Sequence, residues 1–232
     1  MTYVLAIGDR SYSSWSLRGW LMFARFDLPV TLRQAELYSP EIAALRAEFG
    51  GSLTVPALRI SEGGRDYVLW ESLAIAETLA ERHPDRGLWP ADPAARALAR
   101  SLAAEMHAGF TALRSTCPMN LRRSYTGFAP SDAVRADLAR IESLWRQARA
   151  ASASDSPWLF GAYSLADVFY APVAARIATY GLPVAPESAA YVAAHLADPC
   201  FLGWRADGLA EPNAQPLYDL DLPERPWPGP AA

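Results

Sequence analysis

The architecture turns on one stretch: Tyr3-Val4-Leu5-Ala6-Ile7, then Gly8-Asp9-Arg10, then Ser11-Tyr12-Ser13-Ser14-Trp15-Ser16-Leu17-Arg18. The first five residues are short, apolar and β-rich, which suits a buried strand. From Ser14 to Phe26 the text reads as a helix, stopped by Asp27-Leu28-Pro29. The hydroxyl cluster between them sits beside the free N–H groups of a helix start, at the positive end of its dipole. Such a place favours an anion, whether phosphate, carboxylate or thiolate. N-capping is the plainer use of the same serines.

Working outward, strand-like and helix-like text alternates. Val30–Arg33 is a weak strand, and Pro40–Phe49 a helix with proline in its first turn and Gly50-Gly51 at its end. Ala57–Ile60 and Tyr67–Trp70 flank Glu62-Gly63-Gly64 and predict a hairpin. Ser72–His83 is the next helix. The order is β-α-β-α-β-β-α, placed in a first domain over 1–83. The proline-rich residues 84–93 read as a linker. An all-helical domain over 94–206 follows, with one long helix Ala94–Leu113 and others over Ser131–Ala150, Leu165–Tyr180 and Glu187–Ala197. Residues 207–232, rich in proline and aperiodic, read as a tail lying on the surface.

Composition narrows the function. Of 232 residues, 51% are hydrophobic and 20% charged, as in an ordinary globular protein. A net charge of −4 gives no electrostatic case for nucleic acid or an anionic membrane. All 21 basic residues are Arg, which removes Schiff-base and P-loop lysine chemistry. Cys117 and Cys200 stand far apart and read as small core residues of a reducing compartment. The scattered His83, His107 and His195 make no metal site. Without a basic stretch before its first apolar run or a run of about 20 apolar residues, the chain reads as cytoplasmic.

Three further features carry chemistry. In Thr54-Val55-Pro56 the proline precedes a strand, and X-Pro is where a cis bond is cheap. A cis-Pro56 would turn the Val55 N–H and C=O outward to pair with an extended peptide. Glu71-Ser72, at a strand–helix junction, is either a cap or a pair able to hold an amino acid's ammonium and carboxylate. Ser164-Leu165-Ala166-Asp167 has the spacing of a capping box, opening the most apolar helix.

Together these pieces resemble the cytosolic glutathione transferase family, with a bacterial, serine-type, zeta- or theta-like flavour, over about residues 3–205. The resemblance implies a thioredoxin-like α/β domain followed by a C-terminal helical bundle, a homodimer, and a detoxifying enzyme that activates glutathione as a thiolate for attack on a small apolar electrophile. It implies that Thr54, Val55, Pro56, Glu71 and Ser72 bind glutathione, with Val55, before a cis-Pro56, pairing with its cysteinyl backbone and Glu71 and Ser72 holding its γ-glutamyl end. Ser164 and Asp167 match the family's structural cap. Sliding Ser-x-x-x-Trp-x-x-Arg against the zeta-class text puts the catalytic serine at Ser11; Ser13 and Ser14 lie nearer the helix start and stay candidates. Tyr12 and Ser13 depart from the zeta pattern, and no cysteine occupies the motif, which excludes dithiol redox chemistry. The second substrate is expected against Ala94–Leu113, with Met106, His107, Phe110 and Arg114 as candidates and Arg122 and Arg123 able to steer an anion. Two alternatives accompany this expectation: a glutathione-dependent cis–trans isomerase, and a non-catalytic scaffold on the same fold.

Overall fold

A computed structural model describes residues 1–50 and 52–231. Gly51, expected to help end the second helix, and Ala232, at the end of the expected tail, lie outside the described residues. Four strands form one sheet in the order β2-β1-β3-β4: β1 (Thr2–Ile7), β2 (Thr31–Gln34), β3 (Ala57–Glu62) and β4 (Arg65–Trp70). β1 runs parallel to β2 and antiparallel to β3, with Leu5 opposite Leu32 and Leu58. Gly63 and Gly64 join β3 to β4 with φ of 57° and 75°, the backbone that a tight two-residue hairpin demands.

Helix α1 (Ser14–Ala24) begins where Ser13 caps it, accepting from the Ser16 amide. Helix α2 (Pro40–Glu48) is capped by Ser39 in the same way, and α3 (Ser72–Arg82) follows β4 directly. α1 packs against α3 on one side and α7 (Leu165–Tyr180) on the other. Every residue of α7 is buried, because it also packs against α4 (Pro93–Ala108) and α8 (Pro186–Leu196). α5 (Thr111–Thr116), α6 (Asp132–Ser152) and α9 (Pro199–Ala210) complete the helices described.

Three observations correct the sequence-based expectations. The long helix over 94–113 is two helices. Phe110 takes φ +55°, and a Cβ at Gly109 would lie 2.8 Å from the Glu105 carbonyl oxygen. The break was hidden because Phe110 and Leu113 keep the apolar rhythm while α5 takes its start from elsewhere: the Asp137 carboxylate of α6 accepts from the Leu113 amide at 2.9 Å. Next, Pro199–Ala210 is a helix of its own, started by Asp198, which accepts from the Cys200 and Phe201 amides.

The segment expected as a surface tail continues α9 and then runs as a strap tied to both halves of the chain. Glu211 accepts from Arg10 and Gln34, and buried Gln215 donates to Asp9, Glu36 and the Leu37 carbonyl. Asn120 and Arg123 bind Asp219, while Arg225 donates to the Ala178 carbonyl.

Gly19 lets α1 approach the turn before β3. A Cβ there would meet the Pro56 ring at 2.8 and 2.9 Å. Gly19→Ala is therefore expected to destabilise the fold by about 1–3 kcal/mol through overpacking, seen as a lower midpoint in denaturant unfolding. An unchanged midpoint would show that the Pro56 turn yields freely.

Candidate active site

Two adjoining hollows lie at the ends of these elements. The smaller, about 140 Å³, is lined by Trp15, Thr54, Val55, Pro56, Glu71 and Ser72. Its walls gather all five residues expected to hold a peptide-like ligand. Val55-Pro56 is cis. Glu71 takes φ +73°, a backbone region that costs a non-glycine residue about 1–3 kcal/mol and persists only where its surroundings impose it. The larger cavity, about 690 Å³, shares Trp15, Thr54 and Val55 with the first and adds Ser13 and Ser14.

The three serines separate clearly. Ser11 is fully buried and donates to the Gly208 carbonyl of α9 at 3.0 Å. It is tied to the helical half and is not among the residues lining either hollow. Ser13 is occupied as the cap of α1 and donates to the Ser16 hydroxyl at 2.7 Å. Ser14 opens α1, lines the larger cavity, and accepts from Arg176 Nη2 at 3.3 Å. Among the described residues its own proton has no acceptor, so it is free to point at a ligand. The sequence comparison that favours Ser11 follows position in the text. The orientation of Ser11 follows instead from α9, a helix the sequence reading did not name.

Positive charge surrounds Ser14. Arg176, buried in α7, donates to the Cys117 and Pro172 carbonyls as well as to Ser14. Burial, with Arg114 nearby, pulls its pKa down to about 10. Arg18 is buried between Trp15 and Phe169, with its Nε and Nη1 unpartnered. Burial and then the charges of Arg176 and Arg114 lower its pKa to about 9. Arg114 lies over Trp15 and donates to the His107 and Gly109 carbonyls; burial lowers its pKa too. None of the three takes part in a salt bridge among the described residues. Buried cations without a carboxylate are costly, and Arg114 and Arg176 both face the larger cavity.

A profile described as "Glutathione S-transferase, N-terminal domain" matches residues 12–82, the span that carries Ser13, Ser14, Thr54–Pro56, Glu71 and Ser72. That stretch is similar to the N-terminal domain of glutathione S-transferases. Among solved structures, a glutathione transferase homolog from Burkholderia gl BGR1 with bound glutathione shares its fold at 24% identity, covering 91% of this chain and 100% of the other with a TM-score of 0.66. A maleylacetoacetate isomerase from Anaeromyxobacter dehalogenans 2CP-1, with dicarboxyethyl glutathione and citrate in its active site, is 27% identical over 93% of this chain and 98% of its own, TM-score 0.64. A glutathione transferase Omega 3C from Trametes versicolor is 20% identical, covers 88% of each chain and has a TM-score of 0.62. No curated protein sequence matches the chain significantly.

The residues expected against the long helix divide. Arg114 lines the larger cavity, but Met106 and Phe110 are buried in the core and are not among its lining residues. His107 turns away toward the smaller hollow, where its ring nitrogens face Glu71 and Ser72. Arg122 is bound to the Gly208 and Glu211 carbonyls, and Arg123 pairs with Asp219 and Glu224. These two fasten the strap and are not free to steer an anion.

Unforeseen wall residues include Tyr12 and Arg176, with Tyr38 and Tyr218 across the mouth, their hydroxyls 3.1 Å apart. A lone arginine inside the otherwise apolar Leu165–Tyr180 was a signal for Arg176. Tyr218 sits in text without periodicity and gave none. Ser164 and Asp167 cap α7 as the spacing predicts. Burial pushes the Cys117 thiol up to about 12. Among the described residues no cluster of metal-ligating side chains occurs, and no helix is long and apolar enough to cross a membrane.

Proposed function

We infer that this protein is a transferase that binds reduced glutathione along Thr54–Pro56, Glu71 and Ser72 and presents its sulfur to Ser14 as a thiolate. One observation carries the inference: the hollow that gathers those five residues shares a wall with the cavity holding Ser14, the one of the three candidate serines whose proton has no acceptor among the described residues. Val55, ahead of the cis bond, offers its backbone to the cysteinyl unit. Glu71 offers a carboxylate to the γ-glutamyl ammonium, and Ser72 at the start of α3 offers its amide to the γ-glutamyl carboxylate.

The magnitudes suffice. A free thiol has a pKa of about 8.5, and lowering it by about two units takes about 2.7 kcal/mol. A hydrogen bond to a charged group supplies about 1.5–3 kcal/mol, and a helix start about 0.3–1. Arg176 behind Ser14 adds a cation. Ser14 donates to the sulfur and is not itself the nucleophile. In this reading residues 1–83 hold glutathione and 94–206 line the electrophile site.

A second reading, glutathione-dependent cis–trans isomerisation with glutathione regenerated, is favoured by the unpaired Arg114 and Arg176 at the larger cavity. That charge suits a carboxylate-bearing substrate better than a wholly apolar one. Whether glutathione is consumed separates the two. We also propose a homodimer acting in the cytoplasm. The exposed Tyr67 and Trp70 of the edge strand β4 and the free thiols support this.

Calorimetric titration with reduced glutathione tests the site. Saturable binding is expected, weakened at least tenfold, about 1.4 kcal/mol, in Glu71→Ala. No binding at millimolar glutathione would overturn both enzymatic readings and favour a scaffold.

A further inference from the structure

His107 sits in the last turn of α4 and reaches the junction of β4 and α3. Its Nε2 lies 3.3 Å from Glu71 Oε2, and its Nδ1 lies 3.4 Å from Ser72 Oγ. The ring is held edge-on by Trp15 at 5.3 Å between centroids, and Arg114 donates to the His107 carbonyl at 3.2 Å. Burial, Arg18 and Arg114 push its pKa below the ordinary 6.5 against the pull of Glu71, so the ring is neutral at neutral pH. A neutral imidazole carries one N–H and one bare nitrogen. The tautomer that serves both neighbours carries its proton on Nε2, the nitrogen 3.3 Å from the Glu71 carboxylate, and leaves Nδ1 to accept from the Ser72 hydroxyl.

That arrangement has two effects. Glu71 Oε2 lies against the ring, which leaves Oε1 for a ligand's ammonium. The Ser72 hydroxyl is engaged as well, which leaves its backbone N–H, at the start of α3, for a ligand's carboxylate. Both effects concern one ligand class, the head group of an α-amino acid.

We propose that His107 is a positioning residue that orients Glu71 and Ser72 for the γ-glutamyl end of the thiol substrate, so that the helical half takes part in choosing glutathione over thiols lacking that end. This rests on the glutathione reading above.

The test compares glutathione with cysteinylglycine, which has the same thiol without the γ-glutamyl group, on the full-length protein. In His107→Ala the Kd and KM for glutathione are expected to rise about tenfold, with kcat at saturating glutathione and the Kd for cysteinylglycine unchanged. His107→Gln, which keeps a donor for Glu71, should recover part of the loss and guards against a variant that folds poorly. Equal weakening of both thiols would mean a merely structural role and overturn the proposal. So would a His107→Ala protein that binds glutathione like the wild type, and in that case the glutathione reading survives. A wild type that binds neither thiol overturns that reading, and this proposal with it.

Discussion

Ser14→Ala is expected to raise the pKa of the bound glutathione thiol by one to two units and to lower kcat/KM at neutral pH by about 10- to 100-fold. The figure follows from losing a hydrogen bond to a charged sulfur, about 1.5–3 kcal/mol, at 1.36 kcal/mol per unit. Ser11→Ala should leave the thiol untouched, because its hydroxyl is spent on the Gly208 carbonyl. Ser13→Ala should act mainly on stability, by about 1 kcal/mol, through loss of the α1 cap. The thiolate's ultraviolet absorbance, followed against pH in the glutathione complex of each variant, reads the pKa directly. If Ser14→Ala leaves that titration in place while Ser11→Ala moves it, the assignment to Ser14 fails.

Asp167→Ala should cost about 3–5 kcal/mol of stability. The carboxylate is wholly buried at the start of α7. It accepts from the Leu159 amide at 3.1 Å, the Ser164 amide at 2.8 Å, the Ser164 hydroxyl at 3.1 Å and the Tyr191 hydroxyl at 2.9 Å. Burial raises its pKa above the ordinary carboxylate value, and these donors offset only part of that rise. Alanine strands the donors in the core, at about 1–3 kcal/mol for each left unsatisfied. A folded domain has about 5–15 kcal/mol to lose. Denaturant unfolding monitored by the tryptophans measures the change; a loss under about 1 kcal/mol would show that the donors find other partners.

Much of this was legible in the chain because it is local. Ser39-Pro40, Gly63-Gly64 and Ser164-x-x-Asp167 announce a helix start, a turn and a cap within a few residues, and each stands where its spacing predicts. Thr54–Pro56 and Glu71-Ser72 were legible as motifs at strand ends. What escaped depends on distant partners. Asp137 starts α5 from another helix, and α9 decides that Ser11 faces inward. Tyr218 reaches the cavity from a stretch with no period to read. His107 was legible as a residue at the site, but which substrate it faces depends on the turn at Gly109-Phe110 and on the strained Glu71, and neither has a local signature.

The strap also predicts an order of assembly. The hollow of Trp15, Thr54–Pro56, Glu71 and Ser72 closes over modest sequence separations, apart from His107 behind it. The strap joins opposite ends of the chain: Gln215 meets Asp9 across 206 positions and Glu211 meets Arg10 across 201. Closures that long are entropically costly, and high contact order slows folding. The smaller hollow is therefore expected to form before the strap that brings Tyr218 to the wall of the larger cavity.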